Sequence, residues 1–384
     1  MKLFHTADWH LGKLVQGVYM TEDQRYVLDQ FIAAIREEKP DAVIIAGDLY
    51  DRAVPPTDAV ALLDDVLKTI IVDLKTPVLA IAGNHDSPGR LQFGSQFMRE
   101  NGYYIAGQMT ERIEPVVLTD VYGEVHIYLV PFADPSIVRN VYDEPSISTH
   151  EDAMRKVIET IESSMEPDAR HIFVGHAFVT PHGEHEENTS DSERPIAVGG
   201  TEYIPASLFE GFHYTALGHL HRAHYVKHET IRYAGSPLKY SISEEHHEKG
   251  YYIVELDGEG AVKVEKKTLT PKRDMRTIEA TIEEIKTHEK SDDYIFVQLL
   301  DETAVLHPME KIRAIYPNAM HVMRKVRLGT AQSVVQEGRK KDQLTDEQLF
   351  EAFYTELKGE HPDEETLSLF QDVFHQVMNE EDDK

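Results

Sequence analysis

Four short apolar segments of this chain each end in a glycine that is followed at once by aspartate, asparagine or histidine. Runs this short, rich in Val, Ile and aromatic residues, are typical of buried β-strands. A glycine at the end of such a strand allows the chain to turn sharply. The segments are DAVIIAGD, PVLAIAGN, HIFVGH and YTALGH, with Gly47, Gly83, Gly175 and Gly218 as their glycines.

Helical segments separate the early strands. Residues 21–39 and 57–74 repeat apolar side chains at helical spacing. Strands that alternate with helices indicate a layered α/β domain. In open α/β sheets the loops at the carboxyl ends of strands converge on one edge, so the polar residues there should meet. The predicted buried faces are Val27, Leu28, Phe31, Ile32 and Ile35 in the first helix, and Val60, Leu63, Leu67 and Ile70 in the second.

The 384 residues exceed what one core of roughly 250 to 300 residues holds, so more than one domain is expected. The alternating pattern runs over residues 1–270, and residues 271–330 predict a small second domain. Residues 331–343 form a polar linker, and residues 344–384 follow it with two amphipathic helices, 345–357 and 363–378. Their aromatic stripes favour docking on a partner, with the chain's own core as the alternative. The polar residues 182–200 are predicted to form a long surface loop whose charged side chains are solvated.

The chain has no cysteine, so any metal ion must be held by nitrogen and oxygen ligands. A formal charge of −29 argues against binding nucleic acid through bulk positive potential. It leaves open a nucleic-acid enzyme in which bound metal ions or a partner subunit hold the polymer. No apolar stretch approaches the ~20 residues that cross a bilayer, and the start lacks a signal-peptide design. A cytoplasmic chain is expected.

The polar residues at the strand ends suit two adjacent divalent ions. Such pairs lie roughly 3.5 to 4 Å apart in hydrolases of phosphate esters and need a bridging carboxylate, for which Asp48 is the natural choice. Ligation by His, Asp and Asn without sulfur favours Mn²⁺ over Zn²⁺, Fe²⁺ or Mg²⁺. The predicted ligands are Asp8, His10 and His221 for one ion, Asn84, His176 and His219 for the other, and Asp48 for both.

Further roles fall on neighbours of these residues. His85 is expected to protonate the leaving oxygen as a general acid, with Asp86 orienting it. Arg52, Arg90 and Lys239 are candidate phosphate contacts, with plain surface charge as the alternative. His219 and His221 are two positions apart, so in extended backbone both side chains would point to the same side and hold both ions.

The ordered motifs D-x-H, G-D-x-x-D, G-N-H-D, G-H and G-H-x-H resemble the calcineurin-type metallophosphoesterase family. The fuller strings HTADWHLGK, AGDLYDR, AGNHDS, ALGHLHRA and YAGSPLKYS resemble its nuclease subunits. The resemblance implies an α/β fold, a layered β-sandwich flanked by helices, with a small α+β capping domain and C-terminal helices. It also implies the same seven metal ligands, with His85 as catalytic acid.

The resemblance further implies a Mn²⁺-dependent exonuclease and endonuclease that acts on DNA ends and hairpins in repair and recombination. It implies a homodimer, through helices near the second and third motifs, within a heterotetramer with a coiled-coil ABC ATPase. Asp51 departs from relatives that carry histidine there to contact phosphates, which makes Arg52 a candidate for that contact. The alternatives are a small-molecule phosphodiesterase or phosphatase with the same metal centre, and a scaffold without activity.

Overall fold

A computed structural model describes residues 1–183, 190–193, 202–301 and 303–325, and short stretches of the tail at 350–351, 354–355, 361–363, 366–371 and 373–374. The chain divides into two compact units, residues 1–276 and 277–384. The predicted linker, residues 331–343, lies outside the described residues, and the predicted domain boundaries stay predictions.

The first unit contains most of the secondary structure. Its helix over Thr57–Leu67 continues into a π-helix over Lys68–Asp73. The strands of the chain are β1 (Lys2–Thr6), β2 (Leu14–Val15), β3 (Val18–Tyr19), β4 (Ala42–Ile45), β5 (Val78–Ile81), β6 (Tyr103–Ala106), β7 (Val116–Asp120), β8 (Gly123–Val130), β9 (Arg170–His176), β10 (Phe178–Thr180), β11 (Tyr203–Pro205), β12 (Tyr214–Gly218), β13 (His224–Val226), β14 (His228–Tyr233), β15 (Gly250–Leu256), β16 (Val262–Thr268), β17 (Met275–Ala280), β18 (Tyr294–Leu299) and β19 (Ala319–Arg324). The α-helices are α1 (Thr21–Glu38), α2 (Thr57–Leu67), α3 (Pro88–Gln92), α4 (Ser95–Arg99), α5 (Pro135–Tyr142), α6 (His150–Glu162), α7 (Ile282–Ile285) and α8 (Pro308–Arg313).

Two six-stranded sheets form the frame of the first unit. The first has the order β16-β15-β1-β4-β5-β6, and the second has the order β13-β14-β12-β9-β8-β7. Strands β1, β4, β5 and β6 are parallel, as are β8, β9, β12 and β14, while the strands at the remaining edges pair antiparallel. The layered α/β sandwich predicted from the sequence is therefore what the chain forms.

The central strands are buried on both faces, which explains why their sequences are continuous apolar runs and do not alternate. In β4, Ala42 and Ile44 face the core between the sheets, while Val43 and Ile45 face the core under α1 and α2. In β9, Ile172 belongs to the inter-sheet core and Phe173 to the core under α6. The unit is thus four layers deep, with helix, sheet, sheet and helix.

Both helices predicted from the sequence form, as α1 and α2. The buried face predicted for α1 is confirmed, and the one predicted for α2 is wrong in part. The five residues predicted to be buried in α1 are all buried. In α2, Val60 is 45% exposed, and the buried residues include Ala59 and Leu62. Val60 and Ala61 are apolar residues on the exposed side of this helix, so apolar spacing alone does not mark the limit of its buried face.

The carboxyl ends of parallel strands from both sheets come together at one edge, and glycine makes their close approach possible. A Cβ on Gly218 would lie 1.9 Å from the carbonyl oxygen of Ala46, and a Cβ on Gly83 would lie 2.2 Å from Oδ1 of Asp48. The prediction that these glycines serve turns is therefore incomplete, because both positions require glycine for space.

The three-stranded sheet β17-β18-β19, apart from the first two residues of β17, lies in the second unit with α7 and α8. Its core includes Ile285, Ile295, Val297 and Ile312. In the tail, Phe350 and Phe370 stack with ring centroids 4.0 Å apart, while Leu369 and Val373 are more than half exposed. The predicted stripes consist of Leu349, Phe350, Phe353 and Leu357 in the first helix and Leu367, Phe370, Val373, Phe374 and Val377 in the second. Of these, Leu349, Phe353, Leu357 and Val377 lie outside the described residues. Within the described part of the chain, no helix combines the length and apolar content needed to cross a membrane.

We predict that Gly218→Ala lowers the stability of the first unit, because the added methyl group would overlap the Ala46 carbonyl. Overpacking of this kind costs roughly 1–3 kcal/mol, and each kcal/mol corresponds to about 2–4 °C of Tm in a protein of this size. Thermal unfolding of the metal-free protein measures the effect. Gly89→Ala is the matched control, since its nearest atom is 3.7 Å away on the Gln108 side chain. Equal Tm values for the two variants would contradict the requirement for space at Gly218.

Candidate metal centre

The loops at this edge hold several predicted ligands in a backbone conformation that side chains rarely adopt. Asp8, His10 and Asp48 have φ values of 54°, 45° and 51°, and His219 has a φ of 105°. Non-glycine residues with positive φ are uncommon and cluster at functional sites. Backbone hydrogen bonds join the first two loops, from the amide of Asp8 to the carbonyl of Gly47 and from His10 to Asp48. These backbone hydrogen bonds therefore maintain the strained conformation of the two loops.

Asp8, His10 and His221 form one group of ligand atoms that all lie within 4.8 Å of one another. All three residues are buried. Nε2 of His10 lies 3.0 Å from Nε2 of His221. Two imidazole nitrogens that face each other this closely with a carboxylate alongside are arranged as ligands of one ion. The structure thus brings together the three residues predicted for the first metal position.

Asp48 lies between this group and a second one. Its Oδ2 is 3.5 Å from Nε2 of His10 and 3.4 Å from Nε2 of His176. Asp8, Asp48 and His176 form a further group within 4.8 Å, and Oδ1 of Asn84 lies 2.9 Å from Nε2 of His176. The carboxylate of Asp48 is therefore at the position that a bridging ligand requires.

The backbone conformation of His219 differs from the predicted one. Strand β12 ends at Gly218, and His219 follows in a turn with positive φ, so the extended backbone expected for His219 and His221 is wrong. The turn allows the amide of His219 to donate to the Asp8 carboxylate, 3.0 Å away. Its imidazole packs edge-on against His176, with ring centroids 5.4 Å apart. His219 thus lies on the side of the second group.

Burial and neighbouring charges shift the pKa values of the acids and histidines in this pocket, in directions that differ from residue to residue. Burial raises the pKa of Asp8 to about 7, against the opposing influence of His176 and His221. Burial would lower the pKa of His176, but the Asp48 carboxylate raises it to about 9. Burial lowers the pKa of His10 and of His219 well below the usual range. Both imidazoles therefore stay neutral and keep a nitrogen lone pair for a metal ion.

The residues present fit divalent metal ions. The pocket offers buried carboxylates, imidazoles and an amide oxygen and no sulfur, which is a donor set for hard or borderline divalent ions. Nδ1 of His10 is buried and has no hydrogen-bond partner among the described residues. An uncompensated buried carboxylate pair costs several kcal/mol, and cations between Asp8 and Asp48 would relieve that cost.

His85 lies beside the cluster with its ring oriented by backbone. Its amide donates to Oδ1 of Asp48 over 2.9 Å, and its Nδ1 is 2.8 Å from the carbonyl oxygen of Asp51. Asp86 does not have the orienting position expected for it. Its carboxylate accepts hydrogen bonds from three backbone amides, those of Leu49, Tyr50 and Gly83. Asp86 thus ties the loops after β4 and β5 together, and the Asp51 carbonyl orients His85.

The predicted phosphate contacts have different environments. Arg52 and Arg90 are exposed. Nζ of Lys239 lies 2.8 Å from Oδ1 of Asp274, so this cation is paired within the protein. Lys13, another basic residue near the cluster, forms an ion pair of 2.8 Å with Asp51. Arg52 and Arg90 are therefore the predicted contacts whose charge faces solvent.

Sequence reasoning missed the residues that support the ligand loops from behind. The side-chain amide of Gln24 donates to the carbonyls of Trp9 and His10, and Tyr240 donates to the Trp9 carbonyl. Glu244 and Lys249 lie behind His221. Nothing in the apolar periodicity marks these residues, although the motif YAGSPLKYS contains Tyr240 and leads into Glu244.

The prediction of a solvated surface loop is wrong for part of residues 182–200. Ser190 is only 8% exposed. Oγ of Ser192 lies 2.8 Å from Nδ1 of His221, and the amide of His221 donates to Oε1 of Glu193. Residues 190–193 therefore belong to the surroundings of the cluster, while 184–189 and 194–200 lie outside the described residues.

Comparison with protein families gives two matches along the chain. Residues 1–223 match a family described as calcineurin-like phosphoesterase. Residues 271–358 match a family described as the type 5 capsule protein repressor C-terminal domain. The first match covers all seven predicted ligands and His85.

Two curated bacterial relatives extend the similarity over nearly the whole chain. Both are named as a subunit of the nuclease SbcCD. The protein from Staphylococcus epidermidis is 34% identical over 365 residues, and the one from Staphylococcus saprophyticus is 35% identical over 367 residues. Each alignment covers 94% of this chain and 94% of the relative. A solved dimetal phosphatase from Danio rerio aligns with a TM-score of 0.40 at 11% identity, over 71% of this chain and 97% of that one.

Proposed function

Because this chain belongs to the calcineurin-like phosphoesterase family, we propose that it is a DNA nuclease that hydrolyses phosphodiester bonds with two divalent metal ions, preferably Mn²⁺. The observation that carries the proposal is the buried cluster of Asp8, His10, Asp48, His176 and His221 on a chain whose relatives are named as nuclease subunits. Digestion of double-strand ends and hairpins, in repair and recombination, is the activity we propose.

Seven residues are proposed as metal ligands, with Asp48 bridging the two positions. When bound by these residues, two divalent ions would polarise the phosphate and lower the pKa of a water molecule for in-line attack. The chain supplies the binding and the orientation. Because the ligand loops follow strands of both sheets and are joined through backbone hydrogen bonds, the ligand positions are fixed before substrate arrives.

His85 is proposed as the general acid for the leaving oxygen. With Nδ1–H donating to the Asp51 carbonyl, Nε2 is the nitrogen proposed to hold the transferred proton. The T-shaped contact with His10, with ring centroids 4.6 Å apart, fixes the plane of the ring next to the metal ligands. Arg52 and Arg90 are proposed to contact phosphates flanking the scissile bond.

We predict that His85→Ala lowers Mn²⁺-dependent cleavage of linear double-stranded DNA by about 10²–10⁴-fold, the usual contribution of a general acid. An activated ester such as bis(p-nitrophenyl) phosphate needs no protonation of its leaving group, so its hydrolysis should fall by less than roughly tenfold. Steady-state rates on both substrates measure the difference.

His224→Ala is the matched control, since this histidine stacks on Tyr233 and is bonded to the carbonyl of Arg222. It should retain wild-type rates on both substrates. Equal rates of DNA cleavage for His85→Ala and wild type would refute the acid assignment. Hydrolysis of nucleoside monoesters without cleavage of DNA would favour the small-molecule phosphoesterase.

We further propose that the chain assembles as a homodimer within a heterotetramer with an ABC ATPase. The dimer is supported by α3 and α4, which follow the third motif. Phe93 between them and Phe97 in α4 are 83% and 81% exposed. Two phenylalanines exposed this far on adjacent short helices form an apolar surface suited to a second copy.

The ATPase partner is proposed to bind the C-terminal tail. The relatives are named as one subunit of a complex, SbcCD, and this chain aligns with 94% of their length. In the tail, Leu369 and Val373 are exposed beside the stacked Phe350 and Phe370. An apolar helical surface of this kind suits a helix-in-groove contact.

Crossed variants test the two interfaces separately. We predict that Phe93→Glu/Phe97→Glu gives a monomer that still binds the ATPase, because the charges affect only the dimer surface. Deletion of residues 343–384 should leave a dimer that no longer binds the ATPase. Light scattering after size-exclusion chromatography, with and without the ATPase, measures the mass of each species and so reports both dimerisation and ATPase binding. A double variant that stays dimeric, or a deletion that retains the ATPase, would refute the corresponding interface.

A further inference from the structure

A buried acid–base pair lies behind His221, and the proposed mechanism gives it no role. Glu244 is fully buried and Lys249 is 6% exposed. Their side chains form an ion pair of 2.5 Å between Nζ and Oε2. Burying two opposite charges is costly unless their remaining hydrogen bonds are satisfied. Where these bonds go therefore indicates what the pair is for.

The other oxygen of Glu244 is directed at the imidazole of His221. Oε1 lies 3.0 Å from Nδ1 of His221, and the hydroxyl of Ser192 donates to the same oxygen. Nδ1 also lies 2.8 Å from Oγ of Ser192, whose own proton is donated to Glu244. Both oxygens therefore accept from this nitrogen, so Nδ1 of His221 carries a proton. In the neutral imidazole Nε2 is then the unprotonated nitrogen, and it faces His10 and the metal centre.

Lys249 holds the backbone of the same histidine. Its Nζ donates to the carbonyl oxygen of His221 and to Oγ of Ser236, both over 2.8 Å. Glu244 thus fixes the ring of His221, and Lys249 fixes its main chain. The amide of His221 is also held, by Oε1 of Glu193.

We propose that Glu244 is a positioning residue that sets the tautomer and the orientation of His221, with Lys249 as its counter-ion and as the anchor of the His221 backbone. The inference rests on the proposed metal-dependent function. A carboxylate that accepts from the second nitrogen of a metal-binding histidine fixes the tautomer and raises the basicity of the ligand nitrogen. At His10, the nearest carboxylate oxygen to Nδ1 is Oδ1 of Asp51, 3.7 Å away and beyond hydrogen-bond distance. Because His221 belongs to the group of Asp8 and His10, Glu244 acts on that metal position.

Titration of the full-length, metal-free protein with Mn²⁺, followed by the electron paramagnetic resonance of the free ion, tests the proposal. Wild type should bind two ions. Glu244→Gln should weaken one of the two by about 10–100-fold, the usual effect of losing such a partner, and leave the other within about twofold. DNA cleavage should fall by a similar factor through kcat, with KM for DNA unchanged.

Two further variants separate positioning from simple loss of structure. Asp120→Asn removes the acid from the ion pair with Arg170, which has 2.6 Å between its charged atoms, and should lower Tm while leaving both Mn²⁺ affinities unchanged. Glu244→Gln/Lys249→Met removes both buried charges. If Glu244 only neutralised Lys249, the double variant would recover wild-type affinity, whereas positioning predicts that the weakened ion stays weak.

Recovery in the double variant, or Mn²⁺ affinities in Glu244→Gln equal to those of wild type, would overturn the proposal. Failure of wild type to bind two ions would instead overturn the proposed function. The two failures are therefore distinguishable in the same titration.

Discussion

The carboxylate of Asp48 is the contact on which the arrangement of the site depends. It lies where the two sheets of the sandwich meet, within 3.5 Å of a ring nitrogen of His10 and within 3.4 Å of one of His176. It also accepts a hydrogen bond from the backbone amide of His85. The second sheet can approach this closely only because a Cβ is missing at Gly47, where it would meet His176, and at Gly218, where it would meet Ala46. The proposed chemistry and the packing of the sandwich are therefore consequences of the same close approach.

The sequence predicted the layers and the meeting place of the polar residues because both depend on local patterns. Short apolar strands that end in glycine, with a histidine, an aspartate or an asparagine after each, are visible one segment at a time. That Asp8, His10 and Asp48 lie together follows from the parallel pairing of β1 and β4, whereas His221 joins them from the second sheet. The burial predicted for Val60 in α2 is wrong because the exposed side of that helix also carries apolar residues.

What the sequence did not predict depends on contacts between distant segments. In the sequence nothing distinguishes Glu244 and Ser192 from other polar residues, because their contacts with His221 form only in the folded chain. The role predicted for Asp86 came from its position next to His85 in the sequence. In the structure its carboxylate accepts hydrogen bonds from backbone amides of the loop after β4. The backbone carbonyl of Asp51, which orients His85, carries no signal in a sequence because every residue has one.

The central claim is that Asp48 bridges two metal ions, and anomalous scattering at the Mn edge tests it most directly. In a crystal grown with Mn²⁺, we predict two anomalous peaks roughly 3.5 to 4 Å apart on either side of the Asp48 carboxylate. One should lie among Asp8, His10 and His221, and the other among Asn84, His176 and His219. A single peak, or peaks only on surface carboxylates, would contradict the bridging role of Asp48.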